Sequence, residues 1–261
     1  MLYPGQAASV ITWSIGLWLG MLLFLEIGRR IGLAQVRRHG KESRAAVGAI
    51  DGAVYATLSF LIGFSFSGAA GRLDHRNELV AAEVNAIGTA WNRIDMLAAD
   101  QQVDLRPRFL RYVDVLLASY TDSARANHVW LEPVALTQAQ GDVWSNAVAA
   151  CSVPQGERAR MLLIPALNEM FGAIEKERLA RRIHPPSAVF VILGVLALLS
   201  SLFGGYALAA APTRSWFYMI GLATTISVAI WATLELEYPR LGVIRVDSMD
   251  RALVELRALM K

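Results

Sequence analysis

Charge is scarce in this sequence, and the scarcity is uneven. Of 261 residues only 18% are charged, against roughly 25% in an ordinary soluble domain. Four windows carry no charge: Met1–Leu25, Gly52–Gly71, Pro185–Thr213 and Ser215–Leu234. A helix needs about 20 apolar residues to cross the hydrocarbon core of a bilayer, and each window is long enough. An unpaired backbone amide is costly in lipid, so these runs are expected as helices, not open strands. Cysteine is nearly absent. Cys151 stands alone, which excludes an intramolecular disulfide and a cysteine-rich metal site. The formal charge of +3 is too small and scattered for nucleic-acid binding. The first window lacks a basic leading segment, and its small residues Ala7 and Ala8 precede the apolar core. It reads as an uncleaved first span, not a secretory signal.

Catalytic signatures are missing too. His39, His75, His128 and His184 are isolated, with no metal-ligand spacing among them. There is no phosphate-binding loop, no dinucleotide glycine fingerprint, and no nucleophile set beside a base. An enzyme is therefore the least favoured class. No catalytic residue, cofactor or metal is expected.

The polar stretch between the second and third windows is helical in pattern. Val80, Val84, Ile87, Trp91 and Ile94 alternate four and three apart, a heptad-like seam continuous with the second span. A further helix is expected to start at Pro107, a favoured first position, with Phe109, Val113, Leu116, Leu117 and Tyr120 as its stripe. Another covers about Leu136 to Cys151, with Val143, Trp144, Ala147 and Val148 facing inward. The next follows Pro154 and runs through Leu167, Met170, Phe171 and Ile174, with Pro165 expected to kink or interrupt it. Asp247 to Lys261 reads as a short amphipathic helix, lying on the bilayer or docked on the bundle.

The predicted class is thus all-α: a four-span integral membrane protein with a helical bundle inserted between spans two and three, and a short C-terminal amphipathic helix. The divisions fall at 1–71 (spans one and two), 72–184 (bundle), 185–236 (spans three and four) and 237–261 (tail). From Arg29 to Arg44 the loop after span one holds Arg29, Arg30, Arg37, Arg38, Lys41 and Arg44 against one acid, Glu42. The loop between spans three and four holds Arg214. The positive-inside rule places both short loops in the cytoplasm, and the bundle and both termini outside. Basic residues also flank the membrane on the bundle side, so the opposite orientation stays open.

Several residues invite a functional reading. On span two Gly52, Ala56, Ser59, Gly63 and Ser67 share one face. Close helix packing is the plainer account of such a face; a narrow pore lining is the functional one. Gly16 and Gly20 suit packing in the same way. Arg72 and Arg76 stand four apart, as do Asp74 and Glu78, each a like-charge pair whose partners are expected on other helices or subunits. In a ring of subunits they would encircle a vestibule; otherwise they form interhelical ion pairs. Asp51, near the start of span two, is either an intramembrane acid or an interfacial one. Glu235, Glu237 and Arg240 crowd the end of span four, where a helix exit is expected, with acids paired to basic residues near the membrane.

Two segments, GFSFSGAAGRLDHRNELVAAEVNAIGTAWNRID (Gly63–Asp95) and LELEYPRLGVIRVDSMDRALVELRALM (Leu234–Met260), carry a resemblance. They are similar to a bacterial membrane-protein family catalogued as bestrophin-like, a domain of unknown function. The similarity covers essentially the whole chain. It implies kinship with bestrophins, which are pentameric anion channels with a cytosolic helical region. The chain lacks the run of consecutive acids that would match the bestrophin calcium clasp. Two functions are therefore carried forward. One is an oligomeric ion channel of the bacterial inner membrane passing small anions. The other is a membrane-anchored extracytoplasmic helical module for binding, sensing or scaffolding, without transport. The expected partners are the lipid bilayer, further copies of the chain and a small-ion ligand.

Overall fold

The computed structural model describes residues 6–39, 45–126, 134–209, 214–238 and 247–260. Among these there are eight α-helices and no strand: α1 (Gln6–His39), α2 (Ala45–Arg93), α3 (Ala99–Ala126), α4 (Val134–Cys151), α5 (Glu157–Arg182), α6 (Ser187–Leu208), α7 (Trp216–Glu237) and α8 (Asp247–Leu259). Four stretches are long and apolar enough to cross a membrane. They take in α1, α2, α6 (in a stretch shared with α5) and α7. The chain divides into two compact units, Met1–Leu73 with His184–Arg245 and Asp74–Ile183 with Val246–Lys261.

The first unit packs α1 against α6 and α7. Met21, Leu25, Ala197, Ala223 and Ile230 are fully buried in its core. The helices touch closest where side chains are absent. A methyl group built on Gly28 would fall 1.9 Å from the Leu202 carbonyl oxygen. One on Gly205 would fall 2.0 Å from the Leu25 carbonyl oxygen. In lipid no hydrophobic force draws helices together, so association rests on close packing of this kind. The glycines singled out by sequence on α1 play less of this part: Gly20 meets a Leu198 methyl at 3.1 Å, and Gly16 meets nothing within 4 Å.

The second unit wraps the later part of α2, α3, α4, α5 and α8 around one core. Ile87, Ile94, Leu105, Phe109, Val113, Leu116, Leu163, Leu167 and Met170 are wholly excluded from solvent there. Each such side chain stabilises the fold by about 1.5–3 kcal/mol relative to exposure. Three expectations need correction. Helix α3 begins at Ala99, so Pro107 lies inside it and not at its start. The earlier start buries Leu105, and the Gln102 amide secures it by donating to the Leu97 carbonyl at 2.8 Å. Pro165 does not interrupt α5, which runs unbroken to Arg182. Leu163, Ala166 and Leu167 are buried around it, and the Arg93 guanidinium gives the Leu162 carbonyl an added bond at 2.9 Å. Val148 is exposed, not inward. The buried face of α4 runs Leu136, Ala139, Val143, Ala147, Cys151, and Val148 stands about 100° around the helix from Ala147.

Helix α8 takes the second of its two expected places, on the bundle. Leu253 and Met260 are buried in the second unit's core. Arg257 donates to both oxygens of Asp114 on α3, at 2.6 and 2.9 Å.

Candidate functional site

The first part of α2 has two unlike faces. Asp51, Leu58 and Ala69 are buried against the first unit, with Leu61 and Ile62 half-buried beside them. Gly52, Ala56, Ser59, Gly63 and Ser67 all lie on exposed positions. A methyl group on Gly52 or Gly63 would meet nothing within 4 Å. Among the described residues, therefore, no helix of the same chain packs on this small-residue face. The seam that does bring backbones together is Gly28 with Gly205. Phe60 and Phe64 stand on the same open side, 69% and 72% exposed, with ring centroids 6.3 Å apart. Sequence reasoning missed them, although Ala56, Phe60 and Phe64 form a row at four-residue spacing.

The inward side of α2 carries polar groups. Tyr55 Oη donates to the Ser200 carbonyl at 2.8 Å. A methyl group on Gly204 would fall 2.1 Å from that phenol oxygen, so only glycine leaves it room. Asp51, one turn earlier, is 7% exposed, and its Oδ1 has no hydrogen bond among the described residues.

The end of α7 is organised by one carboxylate. Glu237 is fully buried. Its Oε2 accepts from Arg72 Nε at 2.8 Å and Nη2 at 2.7 Å. Its Oε1 lies 3.0 Å from His184 Nδ1. The His184 ring stacks on Tyr238, with centroids 4.8 Å apart. Glu235 is buried as well, at 1% exposure. Arg76, in the second unit, donates to the Ala180 and Ile183 carbonyls at 3.4 and 3.1 Å, and so caps the C-terminal end of α5. Asp74 is exposed. Glu78 is exposed and pairs with His75 one turn before it, at 3.7 Å. Arg240 lies outside the described residues.

The second unit holds a polar network that sequence reasoning missed. Tyr120 Oη donates to Glu83 Oε1 at 2.7 Å in the interior. The Arg181 guanidinium stacks over the Tyr120 ring at 4.9 Å and bonds Glu177. Glu83 and Glu177 are each 1% exposed. Burial pushes the Tyr120 phenol well above its usual value of 10, the neighbouring Glu83 charge adding to the effect. The available signal was position: Glu83 follows Val80 by three and precedes Ile87 by four, on the apolar seam itself. Among the described residues no group of three or more His, Cys, Asp or Glu is placed to hold a metal ion.

No family model and no curated protein matches the chain in sequence. Solved structures do match. A point variant of a bacterial bestrophin homologue from Klebsiella pneumoniae aligns with a TM-score of 0.69 at 15% identity, over 96% of this chain and 98% of that one. The chain has a bestrophin-like fold. A second variant of the Klebsiella homologue gives a TM-score of 0.67 at 13% identity, over 91% and 98% of the two chains. A form phased on zinc gives 0.63 at 14%, over 91% and 97%. The bestrophin-like fold thus extends over nearly the whole chain. The narrower kinship of Gly63–Asp95 and Leu234–Met260 stays a resemblance in sequence.

Proposed function

We propose that the chain is the subunit of an oligomeric, bestrophin-like channel of the bacterial inner membrane that passes small anions. The observation that carries this reading is the uncovered face of α2. A span that offers glycine, alanine and serine on the side its own subunit leaves open is suited to surrounding a path with other copies. Phe60 and Phe64 on that side would narrow it, and an apolar constriction gates by shedding water. Anion preference rests on the bestrophin resemblance. Orientation is drawn two ways. The basic short loops favour a cytoplasmic position for themselves, whereas the bestrophin resemblance favours one for the bundle. A C-terminal reporter enzyme active only in the cytoplasm decides between them.

Reconstitution in liposomes with chloride flux and bilayer recording tests the function. Flux is expected, and Phe64→Ala is expected to alter it. A correctly folded oligomer with no conductance across pH, calcium and voltage would sink the proposal. The second reading, a membrane-anchored helical module without transport, draws on Arg72 and Arg76. Both bond within the subunit, to Glu237 and to the α5 carbonyls. Co-purification of one stoichiometric partner together with absence of flux would select it.

A further inference from the structure

One end of the first unit gathers positive charge beside exposed aromatic rings. Glu26 on α1 accepts from Arg30 Nε at 2.9 Å and from Arg214 Nη2 at 2.7 Å. Two guanidiniums therefore share a single carboxylate. Beyond Glu26, α1 carries Arg29, Arg30, Arg37 and Arg38 and no further acid. The Arg30 side chain is 77% exposed, and Arg37 and Arg38 are exposed as well. The Arg214 guanidinium sits 3.9 Å from the centre of the Trp216 ring. Trp216, Phe217 and Tyr218, which open α7, are all exposed.

These features fix a depth and a charge. Tryptophan and tyrosine concentrate at the headgroup level of a bilayer. Arg214 stacks on one such ring, and Glu26 ties Arg30 to it, so both guanidiniums lie at that level. Guanidinium forks match phosphate oxygens in shape and charge. Arg37 and Arg38 stand roughly 10–12 Å further along α1 at 1.5 Å per residue. There, just past one screening length, they meet the weakened tail of an anionic surface potential that decays over about 8 Å in physiological salt.

We infer that this end of the unit docks anionic phospholipid headgroups. Arg29, Arg30 and Arg214 take their phosphates, and Arg37 and Arg38 sense the surface charge. The surface is independent of whether the chain conducts ions. Each basic side chain held at an anionic surface contributes about a fivefold change in binding constant.

The test uses the full chain purified in detergent and titrated with phosphatidylglycerol or phosphatidylcholine. The readouts are lipid retained per protein and the thermal unfolding midpoint, at 0.1 and 1 M sodium chloride. Phosphatidylglycerol is expected to be retained in preference, and high salt to remove most of the preference. Arg37→Gln with Arg38→Gln is expected to weaken phosphatidylglycerol retention about two- to threefold at 0.1 M salt, each fivefold step being cut to roughly a third by its distance from the surface. The midpoint in phosphatidylcholine should stay where it was. Arg158→Gln, an exposed change on α5, serves as the control and is expected to change neither. Equal retention of the two lipids, or a preference unmoved by 1 M salt in the unaltered protein, would overturn the proposal. So would inorganic phosphate raising the midpoint as far as phosphatidylglycerol does, since that would make the surface a site for free anions.

Discussion

Gly205→Ala is the most direct test of how the spans hold together. The added methyl would sit 2.0 Å from the Leu25 carbonyl oxygen, where ordinary contact begins at 3.4 Å. The shortfall is about 1.4 Å, and it is against backbone, which cannot swing aside as a flexible side chain does. Helices α1 and α6 must therefore part or slide. A radial gap of about 1 Å already forfeits a quarter to a half of each contact's attraction along the seam. Overpacking of this kind costs about 1–3 kcal/mol, offset in part by the roughly 1 kcal/mol that alanine gains over glycine inside a helix. The net loss expected is about 0–2 kcal/mol, up to some thirtyfold in the unfolding equilibrium, and about 1–3 kcal/mol against a control that keeps the same propensity gain. Gly63→Ala is the matched control. It meets open space, so it keeps the propensity gain and loses nothing within the subunit. The assay is unfolding in mixed micelles, followed by helicity as the denaturing detergent fraction rises. If Gly205→Ala proves as stable as Gly63→Ala, the close α1–α6 approach is not what binds these spans.

Three further outcomes are expected. Arg72→Gln removes the guanidinium from the buried Glu237 and leaves the His184 ring facing Oε1, and should lower stability by about 1–3 kcal/mol; the Arg72→Gln, Glu237→Gln double change should recover part of it, with a coupling of about 0.5–3 kcal/mol in a double-mutant cycle. Burial raises the Tyr120 phenol in the folded chain, so the unfolded chain releases that proton first. Stability from this group is complete below pH 10 and falls above it; Tyr120→Phe should flatten that alkaline slope in unfolding measured between pH 9 and 11. Cys151 is 3% exposed and its thiol is pushed up by burial. Alkylation at pH 8 should therefore track unfolding, and rapid labelling of the native protein would contradict its place in the core.

The spans were legible because a run of some twenty residues without charge suits a bilayer and little else. The bundle's inward stripes were legible for a related reason: Ile87, Phe109, Val143 and Leu167 repeat at helical period, and all are buried. What escaped depended on partners distant in sequence. A glycine in an apolar run does not announce which helix it meets, so Gly28 and Gly205 looked no different from Gly16. The adjacent pair Gly204-Gly205 was the one local hint. Pro107 misled because proline suits a first turn locally, while Leu105 upstream had a core to fill. Glu83 and Glu177 were passed over as two charges among many in a polar segment. Their spacing from Val80 and Ile174 put them on the apolar side. The small-residue face of α2 was visible as a pattern; that no neighbour among the described residues covers it was not.

The clasp on Glu237 also has a chronology. Arg72 lies 165 residues before its partner. At about 5–20 residues per second of synthesis, a nascent chain carries that guanidinium for roughly 8–33 seconds before the carboxylate exists. His184 waits for a shorter part of the same interval. Until the last span emerges, the Arg72 guanidinium midway along α2 and the His184 ring before α6 have nothing from α7 to answer them. The final span thus delivers the ion pair that closes the unit, and a chain truncated before Glu237 would leave the ribosome with its membrane helices made but not latched.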